Sequence, residues 1–342
     1  MYQFFLFIAI FSFSKVGFAQ IPTGYYNTAE NLSGEPLRTA LYNIINGHSI
    51  KDYSTLWGYF QTTDNNGGIV WDMYTDNPSG STTYTYSFGS DQCGNYTAEG
   101  DCFNREHSFP KSWFNDALPM YSDLFHLYPT DGWVNGKRAN YPYGEVNSPT
   151  YTSSNGSKLG ANVFPGYSGI VFEPIDEYKG DFARTYFYMV TRYKNVSSNW
   201  TSDMLTGDNL SDWAKTMLIS WDALDPVSQK EIDRNNAVHD VQGNRNPFID
   251  RPSWIDWIWG PTASVSDMEE PQLRMYSVNG LLHINNVSSK QVSLNIVNML
   301  GATVKEIPIQ QGESRVELDF PQGVYIATST IEGRLYTLKF VR

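Results

Sequence analysis

The chain has 342 residues and a formal net charge of −12 at pH 7, with 36 Asp and Glu residues against 24 Lys and Arg residues. A chain of this length can bury more than one hydrophobic core, which predicts two or more domains. The acidic balance excludes a protein that binds nucleic acid through a large basic surface, although a local groove of basic residues stays compatible with it.

The amino-terminal segment has the features of an export signal. Residues 4–13 form an apolar run, and Gly17-Phe18-Ala19 matches a small-x-small cleavage site, so residues 1–19 are predicted to be a signal peptide. The alternative is a short membrane anchor, but the run is too short to span a bilayer. No later segment is apolar enough to cross a membrane, so we expect a secreted or surface-attached protein.

The next region predicts helices followed by strands. Helical spacing of apolar residues and period-two alternation give helices at 36–47 and 53–62 and strands at 69–74 and 84–88. His48 follows the first helix, and no carboxylate lies at metal spacing from it. We therefore predict a surface or capping residue there instead of a ligand.

Cys93 and Cys102 are the two cysteines of the chain. In an exported protein, two cysteines this close predict a disulfide that closes a small loop. The alternative is a metal-binding pair, but no other soft ligand lies nearby in the sequence. A disulfide here would stiffen the chain just before Asn104.

Three short motifs follow, and they carry the chemistry. They are Asn104-Arg105-Glu106-His107-Ser108-Phe109-Pro110, Asp123-Leu124-Phe125-His126-Leu127-Tyr128-Pro129 and Val134-Asn135-Gly136-Lys137-Arg138-Ala139-Asn140. Together they offer an imidazole beside a carboxylate, then a carboxamide on a later segment. A neutral His can take a proton from water, and a hard cation held by oxygen ligands can neutralise charge on a phosphate. The set therefore indicates metal-assisted hydrolysis of phosphodiesters.

The local pattern predicts how these motifs meet. Strands are predicted at 105–109 and 124–128, and a helix at 132–140 capped by Thr130 or Asp131. A helix packed across the hairpin would bring Asn135 beside Glu106 and His107. Adjacent strand residues point to opposite faces, so Glu106 and His107 can share one site only at a bend or bulge.

The three motifs, in this order, resemble the secreted bacterial endonuclease I family with its ββα-metal (His-Me) finger, over approximately residues 22–260. The resemblance implies that His107 is the general base and that Glu106 and Asn135 bind a single Mg²⁺, with Mn²⁺ or Ca²⁺ as alternatives. Phe125 departs from the pattern, because many relatives carry His or another polar residue there. The residues expected to contact the substrate are Arg105, Lys137, Arg138 and His126.

The region after the motifs is predicted to be largely helical. Residues 147–167 are rich in Ser, Gly, Pro and Asn and predict a loop. Helices are predicted at 176–195, 212–220 and 225–240, the last capped by Asp225. Arg245 is assigned either to a phosphate or to a structural carboxylate, and the sequence leaves that choice open.

The carboxy-terminal region changes to short alternating runs, which predict a small β-sandwich. The predicted strands are 281–284, 292–297, 303–307, 314–318, 324–330 and 336–340. The stretches Asn298-Met299-Leu300-Gly301, Pro321-Gln322-Gly323-Val324-Tyr325 and Lys339-Phe340-Val341-Arg342 resemble the sorting domain of type IX secretion substrates. The alternative is a carbohydrate- or surface-binding module, because a fold alone does not fix a function.

These observations predict an α+β chain: a mixed helical and β nuclease domain built around a ββα-metal finger, then a small all-β sandwich. The expected divisions are a signal peptide at 1–19, a nuclease domain at 20–262, a linker at 263–270 and a sorting domain at 271–342. The expected function is a secreted, Mg²⁺-dependent endonuclease with little sequence specificity that acts on DNA, with RNA as a second substrate. The alternatives are an extracellular phosphodiesterase of small substrates and a non-enzymatic surface protein. The expected partners are nucleic acid and the secretion machinery, and the expected state is a monomer.

Overall fold

The structure of the protein is a computed structural model that describes residues 21–260, 272–278, 280–331 and 334–342. The predicted signal peptide and the predicted linker at 263–270 lie outside these residues. The chain divides into two compact units, Met1–Pro261 and Thr262–Arg342. Within the described residues, no helix has the length and apolar character that a membrane span requires.

The helices all lie in the first unit, as far as the structure describes it. They are α1 (Gly34–Ile45), α2 (Leu56–Thr63), α3 (Gly132–Arg138), α4 (Lys179–Arg192), α5 (Asp212–Leu224), α6 (Gln229–Gln242), α7 (Pro247–Asp250) and α8 (Trp254–Trp259). All residues of α4 are buried, so this helix forms the centre of the core, as its apolar stripe predicts.

The strands of the first unit form small antiparallel sheets. They are β1 (Asn65–Asn66), β2 (Ile69–Val70), β3 (Phe103–His107), β4 (Leu127–Asp131), β5 (Val146–Thr152), β6 (Lys158–Asn162), β7 (Ile170–Glu173), β8 (Leu205–Thr206) and β9 (Asn209–Leu210). The sheets are β1-β2, β3-β4, β5-β6-β7 and β8-β9.

The second unit is all β in its described residues. Its strands are β10 (Leu273–Val278), β11 (Leu281–Asn286), β12 (Val292–Asn298), β13 (Thr303–Ile309), β14 (Gly312–Glu317), β15 (Val324–Ile331) and β16 (Arg334–Val341). They form two sheets, β10-β11-β14 and β13-β12-β15-β16, which share one apolar core. Each of the six predicted strands overlaps an observed one, and the α+β class is confirmed.

Several sequence predictions about the first unit are wrong. No strand covers residues 84–88, where only Ser87 forms an isolated bridge. Three other errors have a local reason. Residues 147–167 contain β5 and β6, because the Asn155 side chain accepts hydrogen bonds from the Ser153 hydroxyl and the Ser157 N–H and closes a hairpin. Helix α6 begins after Ser228 and not at Asp225, because Ser228 and Glu231 form a capping box. Strand β4 begins at Leu127 instead of 124.

Candidate active site

Strands β3 and β4 and helix α3 form the strand, strand, helix order that the sequence predicts. Glu106 lies opposite Tyr128 and His107 opposite Leu127 in the antiparallel pair. Helix α3 starts directly after β4, and the Asp131 carboxylate accepts a hydrogen bond from the Val134 N–H at 2.8 Å. Asp131 is therefore the N-cap, one of the two residues proposed for that role.

The pairing of β3 with β4 is regular from Phe103 to His107, without a bulge. Successive side chains therefore alternate between two faces. We call the side of β3 towards α3 the helix face, which carries Asn104 and Glu106. We call the other side the aromatic face, which carries Arg105 and His107. Glu106 and His107 thus leave the strand on opposite faces, and His107 is its last residue.

Glu106 is fixed on the helix face. Its side chain is buried, and Oε1 accepts hydrogen bonds from Arg138 Nη1 and from the Tyr74 hydroxyl, both at 2.9 Å. Oε2 has no hydrogen-bond partner among the described residues. Burial raises the pKa of the Glu106 carboxyl, and the Arg138 guanidinium opposes that shift. One carboxylate oxygen is therefore held by the protein while the other stays available.

Asn135 lies on α3 beside the same face. Its Nδ2 donates a hydrogen bond to Asn104 Oδ1 at 2.7 Å, which orients the carboxamide. Its Oδ1 has no partner among the described residues. An available carboxylate oxygen on Glu106 and an available amide oxygen on Asn135 are hard donors, and they fit Mg²⁺, Mn²⁺ or Ca²⁺.

The protein contributes little negative charge to such an ion. No group of three or more His, Cys, Asp or Glu side chains suited to a metal occurs in the part of the chain that the structure describes. Mg²⁺ commonly binds to one or two carboxylates and takes its other ligands from water and substrate phosphates. Glu106 and Asn135, one carboxylate and one amide, fit this mode of Mg²⁺ coordination.

His107 is oriented by one backbone carbonyl. Its Nε2 lies 3.0 Å from the Tyr121 carbonyl oxygen. Because a carbonyl can only accept, Nε2 carries the proton, and Nδ1 keeps its lone pair. Nδ1 has no hydrogen-bond partner within the described ranges. The ring is therefore set up to accept a proton at Nδ1.

The surroundings of His107 keep it neutral. Its ring lies 5.6 Å from the Tyr53 ring and 5.2 Å from the Tyr121 ring, centroid to centroid, in stacked orientations. Burial lowers the pKa of His107 well below its ordinary value, and the adjacent His126 ring lowers it further, whereas the Tyr121 carbonyl opposes the shift. A neutral imidazole at pH 7 is the form that a general base requires.

Arg105 lies beside His107 on the aromatic face. Its guanidinium carbon is 3.7 Å from the Tyr53 ring centroid and 4.5 Å from that of Trp57, and Nη1 donates to the Tyr53 carbonyl. The side chain is partly exposed. Lys137 is partly exposed on α3, with Nζ 4.4 Å from the Trp133 ring centroid. Both side chains are cations with accessible surface.

Two of the residues predicted to contact substrate are buried, and we correct those assignments. Arg138 is 0% exposed and is bonded to Glu106. His126 is also 0% exposed, and its Nε2 lies 2.6 Å from the Met120 carbonyl oxygen. A side chain without accessible surface cannot touch nucleic acid, so both act within the protein.

Several contributing residues escaped the sequence analysis. Asn104 could have been found, because it lies two residues before Glu106 and a strand repeats its face every two residues. Tyr53, Tyr74 and Tyr121 are far from the motif in sequence, and no local pattern marks them.

The disulfide between Cys93 and Cys102 is confirmed. It closes a loop that packs against α3: a Cβ added at Gly132 would lie 2.5 Å from the Tyr96 ring, and one at Gly136 would lie 2.7 Å from its hydroxyl. The two glycines therefore form a groove that the Tyr96 ring fills. The loop supports the helix that carries Asn135.

The strand, strand, helix unit thus carries a neutral imidazole, a carboxylate and a carboxamide, a set of groups suited to hydrolysis of phosphodiesters. Comparison with known proteins identifies the family. The family model described as Endonuclease I matches residues 33–253, more than half of the chain. The chain belongs to the Endonuclease I family and is a nuclease, as the motifs predict.

Three relatives illustrate the family. An extracellular ribonuclease of Bacillus amyloliquefaciens is 34% identical over 245 residues, which cover 69% of this chain and 78% of that protein. An extracellular ribonuclease of Bacillus subtilis (strain 168) is 32% identical with the same coverage. A periplasmic deoxyribonuclease of Aeromonas hydrophila is 29% identical over 132 residues, which cover 39% of this chain and 48% of that protein.

Proposed function

We propose that the protein is a secreted, divalent-cation-dependent endonuclease that cleaves DNA and RNA with little sequence specificity. The observation that carries this proposal is His107, whose free Nδ1 lies at the end of the strand that also bears Glu106. The names of the relatives, which include ribonucleases and deoxyribonucleases, support both substrates.

His107 is the general base. Its Nδ1 accepts a proton from a water molecule, and the Nε2–H bond to the Tyr121 carbonyl holds the ring and stabilises the imidazolium that forms. The water oxygen forms a bond to phosphorus as the bond from phosphorus to the 3′ oxygen breaks. The 3′ oxygen leaves with the bonding electron pair and takes a proton from solvent, so the products carry 5′-phosphate and 3′-hydroxyl ends.

Glu106 and Asn135 would hold the cation. Bound there, Mg²⁺, or Mn²⁺ or Ca²⁺ in its place, would neutralise charge on the phosphate and on the leaving oxygen. Glu106 is oriented by Arg138 and Tyr74, and Asn135 by Asn104. The substrate phosphate would lie at the end of β3, where groups from both faces of the strand can reach it.

Arg105 and Lys137 would bind the substrate backbone. Both are partly exposed cations beside the site. Because the chain as a whole carries −12, binding depends on these local charges and weakens as salt increases.

Export is part of this proposal. The relatives named extracellular and periplasmic support secretion, for which residues 1–19 would be the signal. The second unit would engage a type IX secretion machinery, and the enzyme would act as a monomer outside the cell.

The test is digestion of supercoiled plasmid and of single-stranded RNA, with Mg²⁺ or with chelator, by the wild type and by His107→Ala. General base catalysis is typically worth about 10²–10⁴-fold, so His107→Ala should lose activity by that factor. His239→Ala removes an imidazole on α6 and serves as the matched control with wild-type activity. Wild-type cleavage by His107→Ala, or cleavage of a chromogenic diester but not of nucleic acid, would contradict the proposal.

A further inference from the structure

Arg138 takes no direct part in the catalytic scheme above. Its guanidinium is fully buried. Nη1 donates to Glu106 Oε1 at 2.9 Å and to the His107 carbonyl oxygen at 2.8 Å. Nη2 donates to the Ser108 carbonyl. One side chain on α3 thus joins the proposed metal ligand to the backbone of the proposed base.

The charge of Arg138 matters as much as its position. Its +1 charge cancels the −1 charge of Glu106, and the two side chains are in direct contact. Asn104 and Asn135 on the helix face and the Tyr74 hydroxyl that donates to Glu106 are uncharged. A divalent cation that binds to Glu106 therefore meets an ion pair whose two charges sum to zero.

We propose that Arg138 makes cation binding depend on nucleic acid: the divalent cation binds weakly to the free enzyme and tightly once a substrate phosphate supplies the missing negative charge. This inference rests on the proposed function, because it takes Glu106 and Asn135 as the ligands. Linkage requires reciprocity, so the cation tightens substrate binding by the same factor. Coupling between two sites is typically about 5–150-fold.

The arrangement has a functional consequence. A site that holds its cation tightly without substrate needs surplus carboxylates, whereas this one has a single carboxylate shared with a guanidinium. The cation is then recruited with the phosphate on which it acts. Arg138 also positions Glu106 against the His107 carbonyl, so the ligand and the base keep a fixed relation when the cation leaves.

The first experiment measures Mn²⁺ binding by electron paramagnetic resonance in His107→Ala, which should not cleave the added nucleic acid. Binding is measured with and without a short DNA duplex, and Mn²⁺ bound by the duplex alone is subtracted. We expect Mn²⁺ to bind at least about tenfold more tightly with the duplex, within the usual range of coupling. Equal Mn²⁺ affinities in the two conditions would overturn the proposal.

The second experiment changes the charge on residue 138. Arg138→Met should tighten Mn²⁺ binding to the free protein by about tenfold or more and reduce the gain from the duplex. Arg138→Lys keeps the positive charge but lacks the planar set of N–H donors of a guanidinium. It should bind Mn²⁺ like the wild type yet turn over more slowly. Near-ultraviolet circular dichroism shows whether Arg138→Met is folded. If the folded variant binds Mn²⁺ with unchanged affinity, the proposal is wrong. If Arg138→Met does not fold, the duplex experiment decides.

Asn135→Ala separates this inference from the function on which it rests. Asn135 is partly exposed on α3, so the variant should fold. Asn135→Ala could lose Mn²⁺ binding while the duplex leaves Mn²⁺ binding to His107→Ala unchanged. That pair of results would contradict the coupling and support the assignment of Asn135 as a ligand. If Asn135→Ala binds Mn²⁺ as tightly as the wild type does, Asn135 is not a ligand, and the proposed coupling is wrong as well.

Discussion

On the helix face of β3, Glu106 accepts two hydrogen bonds from buried donors and Asn135 is oriented by Asn104. On the aromatic face, the His107 side chain makes one hydrogen bond among the residues that the structure describes, to the Tyr121 carbonyl, and its ring lies against Tyr53 and Tyr121. The helix face thus relies on charge and hydrogen bonding. The aromatic face relies on the packing of rings that bury the imidazole.

The difference between the two faces fits the roles proposed for the two side chains. A carboxylate that binds a cation must stay ionised, and a buried carboxylate does so only beside a compensating charge, here Arg138. An imidazole that acts as a base must stay neutral, and an apolar environment favours the neutral form. One strand therefore supplies two opposite electrostatic environments by alternating its side chains between its two faces.

The largest expected effect comes from breaking the helix face. Glu106→Gln leaves Arg138 buried without its ionic partner, and breaking one half of a buried pair costs about 3–5 kcal/mol of unfolding free energy. Urea denaturation should show this loss, and plasmid nicking should show little activity. Asn135→Ala is the matched control: it should lose activity with a much smaller change in stability. Equal stability of Glu106→Gln and the wild type would mean that the ion pair contributes little.

The aromatic face predicts a particular pH dependence. Because burial lowers the pKa of His107 below its ordinary value of about 6.5, the ring stays neutral, and active as a base, at every pH above that lowered pKa. Its contribution to the rate should be constant from pH 8 to below 6.5 and fall about tenfold per pH unit once the ring protonates.

The His107 titration can be observed directly. Nuclear magnetic resonance of the imidazole carbons, assigned with His107→Ala, separates this residue from the other four histidines of the chain. The direct titration matters because burial raises the pKa of Glu106, whose protonation would also reduce activity in acid. A His107 that titrates at or above 6.5 would contradict the neutral, buried environment.

Removing the disulfide tests how far the helix face depends on the adjacent loop. For a sequence separation of 9, chain entropy gives a loss of about 2.5–3 kcal/mol in unfolding free energy for Cys93→Ser with Cys102→Ser. The thermal midpoint measures it, and the wild type under reducing conditions is the control. If Tyr96 still fills the groove of Gly132 and Gly136, folded protein should keep most of its activity. Loss of activity without loss of stability would show that the disulfide acts on the site itself.

The sequence predicted the part of the finger that depends on neighbours along the chain. The start of α3 and its cap at Asp131 follow from capping residues, and Asn135 meets the helix face because the helix crosses the hairpin. The start of β4 was missed, because the Asp123 carboxylate accepts a hydrogen bond from the Phe125 N–H and turns the chain before Leu127. The Asp123 carboxylate also accepts hydrogen bonds from the hydroxyls of Tyr188 and Tyr193 and from the Gln242 side chain, which lie 65, 70 and 119 residues away in the sequence.

The role of Arg138 could not be predicted for a related reason. In sequence it is a basic residue next to a nuclease motif, and such a residue is expected to contact phosphate. Only the fold shows that it lies above Glu106, 32 residues earlier, and is closed off from solvent. Arg245, for which the sequence left two roles open, is bonded to Asp250. Charge alone does not distinguish a substrate contact from a structural ion pair.

The smallest expected effect concerns the exposed edge of the aromatic face. Arg105→Ala removes a cation held between Tyr53 and Trp57, and its phosphate contact would be made equally in the ground state and the transition state. KM for an oligonucleotide should then rise about tenfold with kcat little changed, since uniform binding affects KM.

Lys111→Ala is the control, because Lys111 is exposed and paired with Asp116. This variant should change KM less than Arg105→Ala does. The KM difference between wild type and Arg105→Ala should shrink as salt increases, because screening weakens exposed charges. A fall in kcat instead would mean that Arg105 acts on the reacting phosphate together with His107, and the aromatic face would then bind charge in the transition state as the helix face does.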